Sequence, residues 1–177
     1  MQFVEQSVPG VYLIESDTIP DDRGSFTRAW MPDEFAAHGL SIEIAQCMFA
    51  FNHHRGTIRG MHWQADPMWE HKTVRVTRGA IYDVAVDLRP DSPTYCRWVG
   101  AELTADNRRI LYIPPGCAHG YQTLEDDTEV FYFVSKGYSP AHQRGARYND
   151  PAFGITWPLG EPTMINDRDR TYADFVR

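Results

Sequence analysis

Residues 72–88 are Lys72-Thr73-Val74-Arg75-Val76-Thr77-Arg78-Gly79-Ala80-Ile81-Tyr82-Asp83-Val84-Ala85-Val86-Asp87-Leu88. On both sides of Arg78-Gly79, β-branched and other apolar residues alternate with polar ones, which is typical of β-strands. Because Arg78-Gly79 is a turn dipeptide, we interpret residues 72–88 as a β-hairpin.

The second half of this segment has two different faces. Alternation places Asp83 and Asp87 on one face, together with the apolar residues 81 and 85. Two carboxylates there are costly unless the face meets water, a partner or a polar cavity. A small barrel that holds one ligand explains this face, and a solvated outer face explains it equally well. In residues 129–134, Tyr132 shares a face with Val130 and Val134, which also fits such a barrel.

Further strands are predicted in short segments bounded by Gly, Pro, Asn or Asp, at residues 11–14, 56–64, 97–103, 110–113 and 129–134. The best helical segment is 32–38, which precedes a glycine suited to the C′ position. Many closely spaced strands with almost no helix indicate an all-β sandwich, jelly roll or barrel. No internal repeat or linker interrupts the chain, so residues 1–177 are predicted to form one domain.

The composition argues against several classes of protein. The chain has 177 residues and a formal net charge of -7, so the basic surface that nucleic-acid binding needs is not expected. The three cysteines form no metal-ligand spacing, and a reduced cytoplasmic protein is the simplest interpretation. The first residues lack the pattern of a signal peptide, and no apolar run is long enough to span a membrane. We therefore expect neither nucleic-acid nor membrane partners.

Two short segments carry a histidine in or beside a predicted strand. They are Arg59-Gly60-Met61-His62-Trp63-Gln64 and Ile113-Pro114-Pro115-Gly116-Cys117-Ala118-His119-Gly120. A single strand histidine is more often structural than catalytic. Strict alternation would point Arg59 and His62 to opposite faces, but a bulge at Gly60 would bring both to one side.

The spacing of these segments also resembles that of a metal-binding cupin, in which an HxH pair and a later glutamate hold the metal. Here Gln64 stands at the second histidine position, and the second segment supplies only His119. Glu70 and Glu125 are the candidate acids. Two histidines without the close pair make a poor zinc or iron site, so we expect no metal and no cofactor. Acid–base chemistry in a cavity is the natural alternative.

The chain as a whole resembles the dTDP-4-dehydrorhamnose 3,5-epimerase family from about residue 9 to residue 169. The two histidine segments carry this resemblance together with Tyr132 and residues 21–26, 72–76, 83–89, 138–140, 149–151, 157–158 and 167–169. The resemblance implies a cupin-type jelly-roll β barrel, a homodimer that exchanges strands, no metal, and a cytoplasmic role in deoxysugar biosynthesis. It also implies an enzyme that inverts C3, C5 or both, next to the ketone of a nucleotide-linked 4-keto-6-deoxy sugar.

The same resemblance assigns catalytic roles. His62 matches the base that removes the proton, and Asp169 matches the carboxylate that orients its ring, as in serine-protease triads. Lys72 would stabilise the negative charge on the enolate oxygen. Tyr132 would return a proton to the opposite face of the sugar, which inverts the centre. His119 would lie against the sugar as a hydrogen-bond partner.

Substrate-binding positions are implied in the same way. Arg23 and Arg59 match positions that bind the diphosphate, where a guanidinium fork suits phosphate oxygens. Phe26 and Tyr138 would contact or stack on the nucleobase. Gln46 matches a polar residue of the nucleotide site.

At three further positions of the expected binding site the chain departs from the family pattern. Arg28 and Gln143 stand where acids are usual, and Arg168 replaces a lysine beside Asp169. These changes alter which hydrogen bonds the nucleotide pocket satisfies, so a CDP-linked or other nucleotide sugar, and inversion at C3 alone, stay open. A ketoisomerase, a metal-dependent cupin enzyme and a non-catalytic sugar-nucleotide-binding cupin are the competing hypotheses.

Overall fold

The computed structural model describes residues 1–177, and β-strands account for most of its regular structure. The strands are β1 (Gln2–Glu5), β2 (Tyr12–Glu15), β3 (Thr18–Asp21), β4 (Gly24–Thr27), β5 (Gln46–Asn52), β6 (Ile58–Gln64), β7 (Lys72–Arg78), β8 (Ala80–Asp87), β9 (Trp98–Thr104), β10 (Ile110–Ile113), β11 (Cys117–Thr123), β12 (Thr128–Val134) and β13 (Gln143–Gly145). The two helices are α1 (Pro32–Ala37) and α2 (Asp167–Arg170). Every predicted strand is present, and β1, β3, β4, β5, β11 and β13 are additional to the prediction.

Two antiparallel sheets and one ribbon contain all the strands. The larger sheet has six strands in the order β1-β2-β10-β7-β12-β5, and the smaller has five in the order β13-β6-β11-β8-β9. β3 and β4 form a separate two-stranded ribbon. The two sheets pack around an apolar interior to which both contribute, as in a jelly roll. The predicted all-β, cupin-type class is confirmed.

Residues 72–88 form two strands, but the predicted hairpin between them is wrong. β7 pairs with β10 and β12 in the six-stranded sheet, whereas β8 pairs with β11 and β9 in the five-stranded sheet. Gly79 turns the chain from one sheet to the other with a φ of 77°. A Cβ at this position would lie 2.4 Å from Oγ1 of Thr128, so the corner requires glycine.

The two faces of β8 meet two different apolar clusters. Ile81 and Ala85 pack in the interior between the sheets. Val84 and Val86 pack on the outer side of the five-stranded sheet, beneath the C-terminal part of the chain that includes Trp157. The alternation of faces along this strand is therefore as the sequence predicts.

Asp83 and Asp87 are both fully buried, so the alternative of a solvated outer face is wrong for them. Asp87 accepts hydrogen bonds from Arg89, Ser92 and Thr94 just beyond β8. Although burial disfavours its charge, these hydrogen bonds hold the pKa of Asp87 at about 2. Asp87 is therefore an anchor for the turn that follows β8, and Asp83 has a different partner, described below.

Helix α1 covers part of the outer side of the six-stranded sheet. It begins at Pro32, where the first helical position needs no amide hydrogen, and it ends before Gly39, whose φ is 71°. Phe35 is fully buried and packs with Ile110 and Tyr112. The predicted helix is confirmed. Neither helix is long and apolar enough to cross a membrane.

Candidate active site

A cleft with both polar and aromatic walls lies between the two sheets and has two lobes, with volumes of about 200 and 210 Å³. His62, Lys72 and Tyr132 border both lobes. The first lobe is also lined by Gln46, Met48, Gln64, Glu70, Tyr138 and Gln143, and the second by Ala50, Arg59, His119, Tyr121, Asn166 and Asp169. His62 belongs to the five-stranded sheet, whereas Lys72 and Tyr132 belong to the six-stranded sheet. The two sheets therefore supply opposite walls of one cleft.

A bulge in β6 turns Arg59 and His62 toward this cleft. They are three residues apart, whereas their partners on β11, residues 121 and 119, are two apart. Gly60 lies in the bulge with a φ of 126°. A Cβ on Gly60 would lie 2.5 Å from the Cα of Gly120, so no larger residue fits. The predicted bulge at Gly60 is confirmed.

His62 forms a close pair with a carboxylate from α2. Its Nε2 lies 2.7 Å from Oδ1 of Asp169, which is almost completely buried. Oδ2 of Asp169 accepts a hydrogen bond from the Gly60 amide at 3.1 Å. The amide of Asp169 donates to the side chain of Asn166, the N-cap of α2, at 2.7 Å. If Nε2 donates to this fixed carboxylate, Nδ1 keeps a lone pair that can accept a proton.

A second histidine–aspartate pair joins β11 to β8. Nε2 of His119 lies 2.7 Å from Oδ1 of Asp83. Burial raises the pKa of Asp83, and the adjacent imidazole opposes that shift. His119 is also the register partner of His62 on the neighbouring strand. The pair fixes the His119 ring as part of the wall of the second lobe.

Lys72 and Tyr132 lie close together on the opposite wall. In the pairing of β12 with β7, Tyr132 is the partner of Val74, two residues along the strand from Lys72. The Lys72 ammonium forms an ion pair with Glu70, and the two side chains are only 11% and 8% exposed. Burial raises the pKa of Tyr132, so its hydroxyl stays protonated at neutral pH. This wall offers a positive charge and a proton donor.

Arg59 is held at the second lobe by two hydrogen bonds. Its Nε donates to Oδ1 of Asn52 at 2.7 Å, and its Nη2 donates to the carbonyl oxygen of Phe51 at 3.2 Å. The Tyr121 hydroxyl lies beside Asn52, and burial raises the pKa of Tyr121 to about 12. The Arg59 side chain itself is exposed at the cleft, so its guanidinium can meet an anionic group of a ligand.

Gln46, Tyr138 and Gln143 meet at the first lobe. Oε1 of Gln46 accepts a hydrogen bond from the Tyr138 amide at 3.0 Å, and the Tyr138 hydroxyl donates to Oε1 of Gln143. The Tyr138 ring stays largely exposed, so one of its faces can stack on a ligand ring. Three residues that the sequence assigns to the nucleotide site are therefore neighbours.

Four other predicted binding residues do not line the cleft of their own chain. Arg23, Phe26 and Arg28 belong to the β3–β4 ribbon or directly follow it, and all three are exposed. The ribbon pairs only with itself, so it does not carry these side chains to the sheets. Arg168 directly precedes Asp169 in the sequence, but its guanidinium lies over the Tyr172 ring, 5.8 Å from the ring centre. None of the four is among the residues that line the cleft of this chain, although Arg168 lies next to Tyr138, which does line it.

The sequence and the fold have close counterparts among known proteins. The sequence matches the dTDP-4-dehydrorhamnose 3,5-epimerase family over residues 5–176. The chain belongs to this family. It is therefore an epimerase, an enzyme of the isomerase class. The dTDP-4-dehydrorhamnose 3,5-epimerase of Sinorhizobium fredii is 40% identical to it over 169 residues, covering 96% of this chain and 87% of the relative.

Solved structures of relatives share the fold of this epimerase. The dTDP-4-dehydrorhamnose 3,5-epimerase of Bacillus anthracis, with TDP and PPi bound, has a TM-score of 0.94 at 38% identity and covers 98% of this chain and 99% of its own. A 3′-monoepimerase of Streptomyces bikiniensis, in complex with dTDP-quinovose, has a TM-score of 0.88 at 32% identity. That alignment covers 96% of this chain and 85% of the relative.

The epimerase has no group of three or more His, Cys, Asp or Glu side chains arranged to hold a metal ion. Nε2 of His62 and Nε2 of His119 each contact a different aspartate. Glu70 pairs with Lys72, and Glu125 is exposed in the turn between β11 and β12. The donor set that a metal-dependent cupin enzyme needs is therefore not assembled.

The sequence analysis did not assign several cleft residues of the epimerase to catalysis or to substrate binding. Tyr121 and Asn166 were not singled out, and Gln64 and Glu70 were considered only as positions of a metal site. The sequence could have placed Glu70 in the cleft beside Lys72, because in extended backbone residues 70 and 72 point to the same side. No local sequence pattern predicts that Tyr121 and Asn166 lie in the cleft, because their positions depend on the bulge in β6 and on the docking of α2.

Proposed function

We propose that this epimerase inverts C3 and C5 of a nucleotide diphosphate-linked 4-keto-6-deoxy sugar of the dTDP-4-dehydro-6-deoxyglucose type. The C4 ketone acidifies the protons on both neighbouring carbons, so a side-chain base can remove them. One observation carries the proposal: a histidine–aspartate pair on one wall of the cleft lies opposite a lysine and a protonated tyrosine on the other. A base and an acid on opposite sides of a carbon are what inversion requires.

His62 is the base in this mechanism. Its Nδ1 takes the proton from the carbon next to the ketone, while Nε2 stays bonded to Asp169. The buried carboxylate fixes the tautomer of the ring and stabilises the imidazolium that forms. The hydrogen bond from the Gly60 amide keeps that carboxylate in place during the step.

Lys72 and Tyr132 complete the reaction from the other wall. When the C–H bond breaks, its electron pair moves toward the C4 carbonyl, and negative charge develops on the oxygen of the enolate. The Lys72 ammonium stabilises that charge without having to reorganise. Tyr132 then donates its proton to the same carbon from the opposite face, and the configuration is inverted. Solvent returns a proton to Tyr132 and removes one from His62.

The remaining cleft residues bind the substrate. His119 hydrogen bonds the sugar, and Arg59 binds the diphosphate at the second lobe. Tyr138, with Gln46 and Gln143 beside it, contacts the nucleobase at the first lobe. Deoxythymidine is the proposed nucleoside, because the solved relatives hold TDP or dTDP-quinovose.

Inversion at C3 alone is the second candidate. The observation that favours it is the structural similarity to the Streptomyces bikiniensis enzyme, which is described as a 3′-monoepimerase. The two candidates share the base, the enolate and the proton donor, and they differ in whether C5 is inverted as well as C3.

We also propose a homodimer in which the β3–β4 ribbon of one chain reaches the cleft of its partner. Phe26 on the ribbon is 59% exposed, and Phe49 on the edge strand β5 is 66% exposed. Exposed aromatic residues on an edge strand and on a projecting ribbon favour burial against a second copy. A ribbon from the partner would supply a cleft with the Arg23 guanidinium and the Phe26 ring that the chain's own ribbon does not.

The whole chain is proposed to act as one domain in the cytoplasm. The pair of His62 with Asp169 joins residues 107 positions apart, so the reaction needs both β6 and the C-terminal helix. The three cysteines are free thiols, which a reducing compartment maintains.

Incubation with dTDP-4-keto-6-deoxyglucose in deuterated water tests the proposed reaction. NMR should show deuterium entering C3 and C5, together with the inverted product, and a chelator should leave the rate unchanged. Exchange at C3 alone would assign the second candidate. Turnover of the CDP-linked sugar without turnover of the dTDP-linked one would overturn the choice of nucleotide. Absence of exchange in every nucleotide-linked 4-keto sugar would overturn the function itself.

Variants at the two walls test the roles of the residues. His62→Ala should slow exchange at least ~10²-fold, because no base remains to remove the proton. Tyr132→Phe should still exchange the proton but form much less inverted product. His53→Ala, at an exposed histidine outside the cleft, is the matched control and should behave as wild type. Full exchange by His62→Ala would contradict the assignment of the base.

A further inference from the structure

Glu70 and Lys72 form an ion pair in the wall of the first lobe, and its setting is unlike that of a surface pair. Both side chains are nearly buried, and both line the cleft. His71 between them points to the other side of the strand, where its ring stacks on Tyr112 at 5.2 Å. The backbone around this pair is fixed by two hydrogen bonds between His71 and Ser135. A pair held in this way restricts the lysine far more than an exposed pair does.

The carboxylate of Glu70 is in turn held by Gln64. Nε2 of Gln64 donates to Oε2 of Glu70 at 2.8 Å, and Oε1 of Glu70 faces the Lys72 ammonium. Each carboxylate oxygen therefore has its own partner. Because Gln64 is only 4% exposed, its amide has no solvent with which to exchange these bonds.

Apart from a longer bond of 3.4 Å to the Met68 carbonyl oxygen, the other bonds of Gln64 go to the loop that carries Tyr138. Oε1 of Gln64 accepts from the Ser139 amide at 2.7 Å, and Nε2 donates to the Gly137 carbonyl oxygen at 3.2 Å. The side-chain amide of Gln64 thus hydrogen bonds the backbone on both sides of Tyr138. A continuous path of hydrogen bonds runs from this loop through Gln64 and Glu70 to the Lys72 ammonium.

We propose that Glu70 is a positioning residue for Lys72, and that Gln64 couples this pair to the loop at residues 137–139. The inference rests on the proposed function, in which Lys72 stabilises the enolate and Tyr138 contacts the nucleobase. Contact of the nucleotide with the loop then helps to hold the ammonium against the C4 oxygen of the sugar. In this way, part of the binding energy of the nucleotide lowers the activation barrier of the chemical step.

The physical need for such a device follows from the lysine side chain. An ammonium on four flexible methylene groups stabilises a developing charge only if it is already in position when the charge appears. The carboxylate of Glu70 supplies that restraint, and the amide of Gln64 keeps the carboxylate from turning away. Loss of either should therefore slow the chemistry more than it weakens the binding of the substrate.

Glu70→Gln is the first test, with kcat and KM measured on the substrate that the wild type turns over. The kcat should fall about ten- to a hundred-fold while KM changes little, because the displaced ammonium fails mainly in the transition state. Glu102→Gln, at an exposed glutamate on β9, is the matched control and should leave both constants unchanged. An unchanged kcat in Glu70→Gln, with an active wild type, overturns the inference and leaves the proposed function intact.

A double-mutant cycle with Lys72→Met separates positioning from a general structural role. If Glu70 acts through Lys72, the change Glu70→Gln has no further effect on the slow deuterium exchange of Lys72→Met. If the effect persists at full size, Glu70 acts on the substrate or on the fold, and the inference is wrong. Inactive wild type would remove the proposed function and this inference together.

Gln64→Met tests the coupling to the loop. It keeps the length of the side chain and removes all its hydrogen bonds, so kcat should fall although Glu70 and Lys72 are both present. Gln64→Glu, which is isosteric, places a second carboxylate against Glu70 and should act in the same direction. Wild-type kcat in a folded variant of either kind, verified by thermal melting, would show that the loop is not coupled to Lys72.

Discussion

His71, which lies between Glu70 and Lys72, is a buried histidine without hydrogen bonds to its ring. Its side chain is fully buried, and neither ring nitrogen has a hydrogen-bond partner. Burial lowers its pKa from 6.5 to about 4, and the charge of Glu43 only partly opposes that shift. The folded protein therefore holds this imidazole in its neutral form at a pH at which the unfolded chain binds a proton.

Burial of His71 should make the folded protein less stable at acid pH. Well above pH 6.5 the ring of His71 is neutral in both states and contributes no pH dependence. Between about pH 6.5 and about 4 the unfolded state alone gains a proton, so the free energy of unfolding falls by up to ~1.4 kcal/mol per pH unit from this group. His71→Phe, which keeps an aromatic ring on Tyr112, should reduce that slope.

Denaturant unfolding at several pH values across this window measures the effect of His71→Phe. The matched control is His54→Phe, at an exposed histidine, and it should keep the slope of the wild type. Equal slopes in His71→Phe and the wild type would mean that the buried ring is protonated in the folded state as readily as in the unfolded state.

At the scale of single elements, the bulge of β6 decides whether the site exists. It lets Arg59 and His62 point into one cleft, and the amide of Gly60 within it also binds the dyad carboxylate. The bulge is packed against β11 so closely that a Cβ on Gly60 would also lie 2.8 Å from the carbonyl oxygen of His119. Sheet geometry and dyad geometry therefore depend on the same residue.

Gly60→Ala should destabilise the protein by at least ~3 kcal/mol, the sum of a disfavoured φ and of overpacking against β11. The matched control is Gly154→Ala, at a glycine with a positive φ but with nothing within 4 Å of the added Cβ. It should cost only ~1 kcal/mol and keep activity, because the backbone strain is then the only cost. Thermal melting and the exchange assay measure both variants, and similar losses in the two would show that packing at Gly60 is unimportant.

At the scale of the whole molecule, the proposed exchange of ribbons makes each active site a product of two chains. His62 would come from one protomer and Arg23 from its partner. A chain that lacks one of these groups can then be complemented by a chain that lacks the other, because one of the two sites in the mixed dimer contains both. If the ribbon served its own chain, no mixture could restore a complete site.

Mixing Arg23→Ala with His62→Ala after denaturation and refolding together should restore about a quarter of wild-type activity, since half of the dimers are mixed and half of their sites are intact. Each variant alone should be nearly inactive in the exchange assay, and a mixture that is not refolded should recover more slowly. Refolding Arg23→Ala with Lys72→Ala should complement in the same way. No recovery in refolded mixtures whose dimers are shown to exchange would contradict the shared site.

The sequence alone determined the strand-rich class, the faces of β8 and β12, the helix before Gly39 and the bulge at Gly60. These features are local, because they follow from alternation, from turn residues and from the conformational freedom of glycine. The resemblance to the epimerase family also suggested His62, Asp169, Lys72 and Tyr132 as candidate catalytic residues, and all four line one cleft. The order and spacing of several motifs carried this resemblance, and no single strand would have shown it.

Only the tertiary structure decided how these pieces meet. Residues 72–88 alternate in the way a hairpin does, yet Gly79 sends β7 and β8 to different sheets, because pairing depends on partners far away in the chain. The same is true of Asp83, which meets His119, and of Glu70, which meets both Lys72 and Gln64. It is equally true of the ribbon that holds Arg23 away from its own cleft. Alternation fixes the direction of each side chain within its strand, whereas the contacts between strands depend on how the whole chain closes around its core.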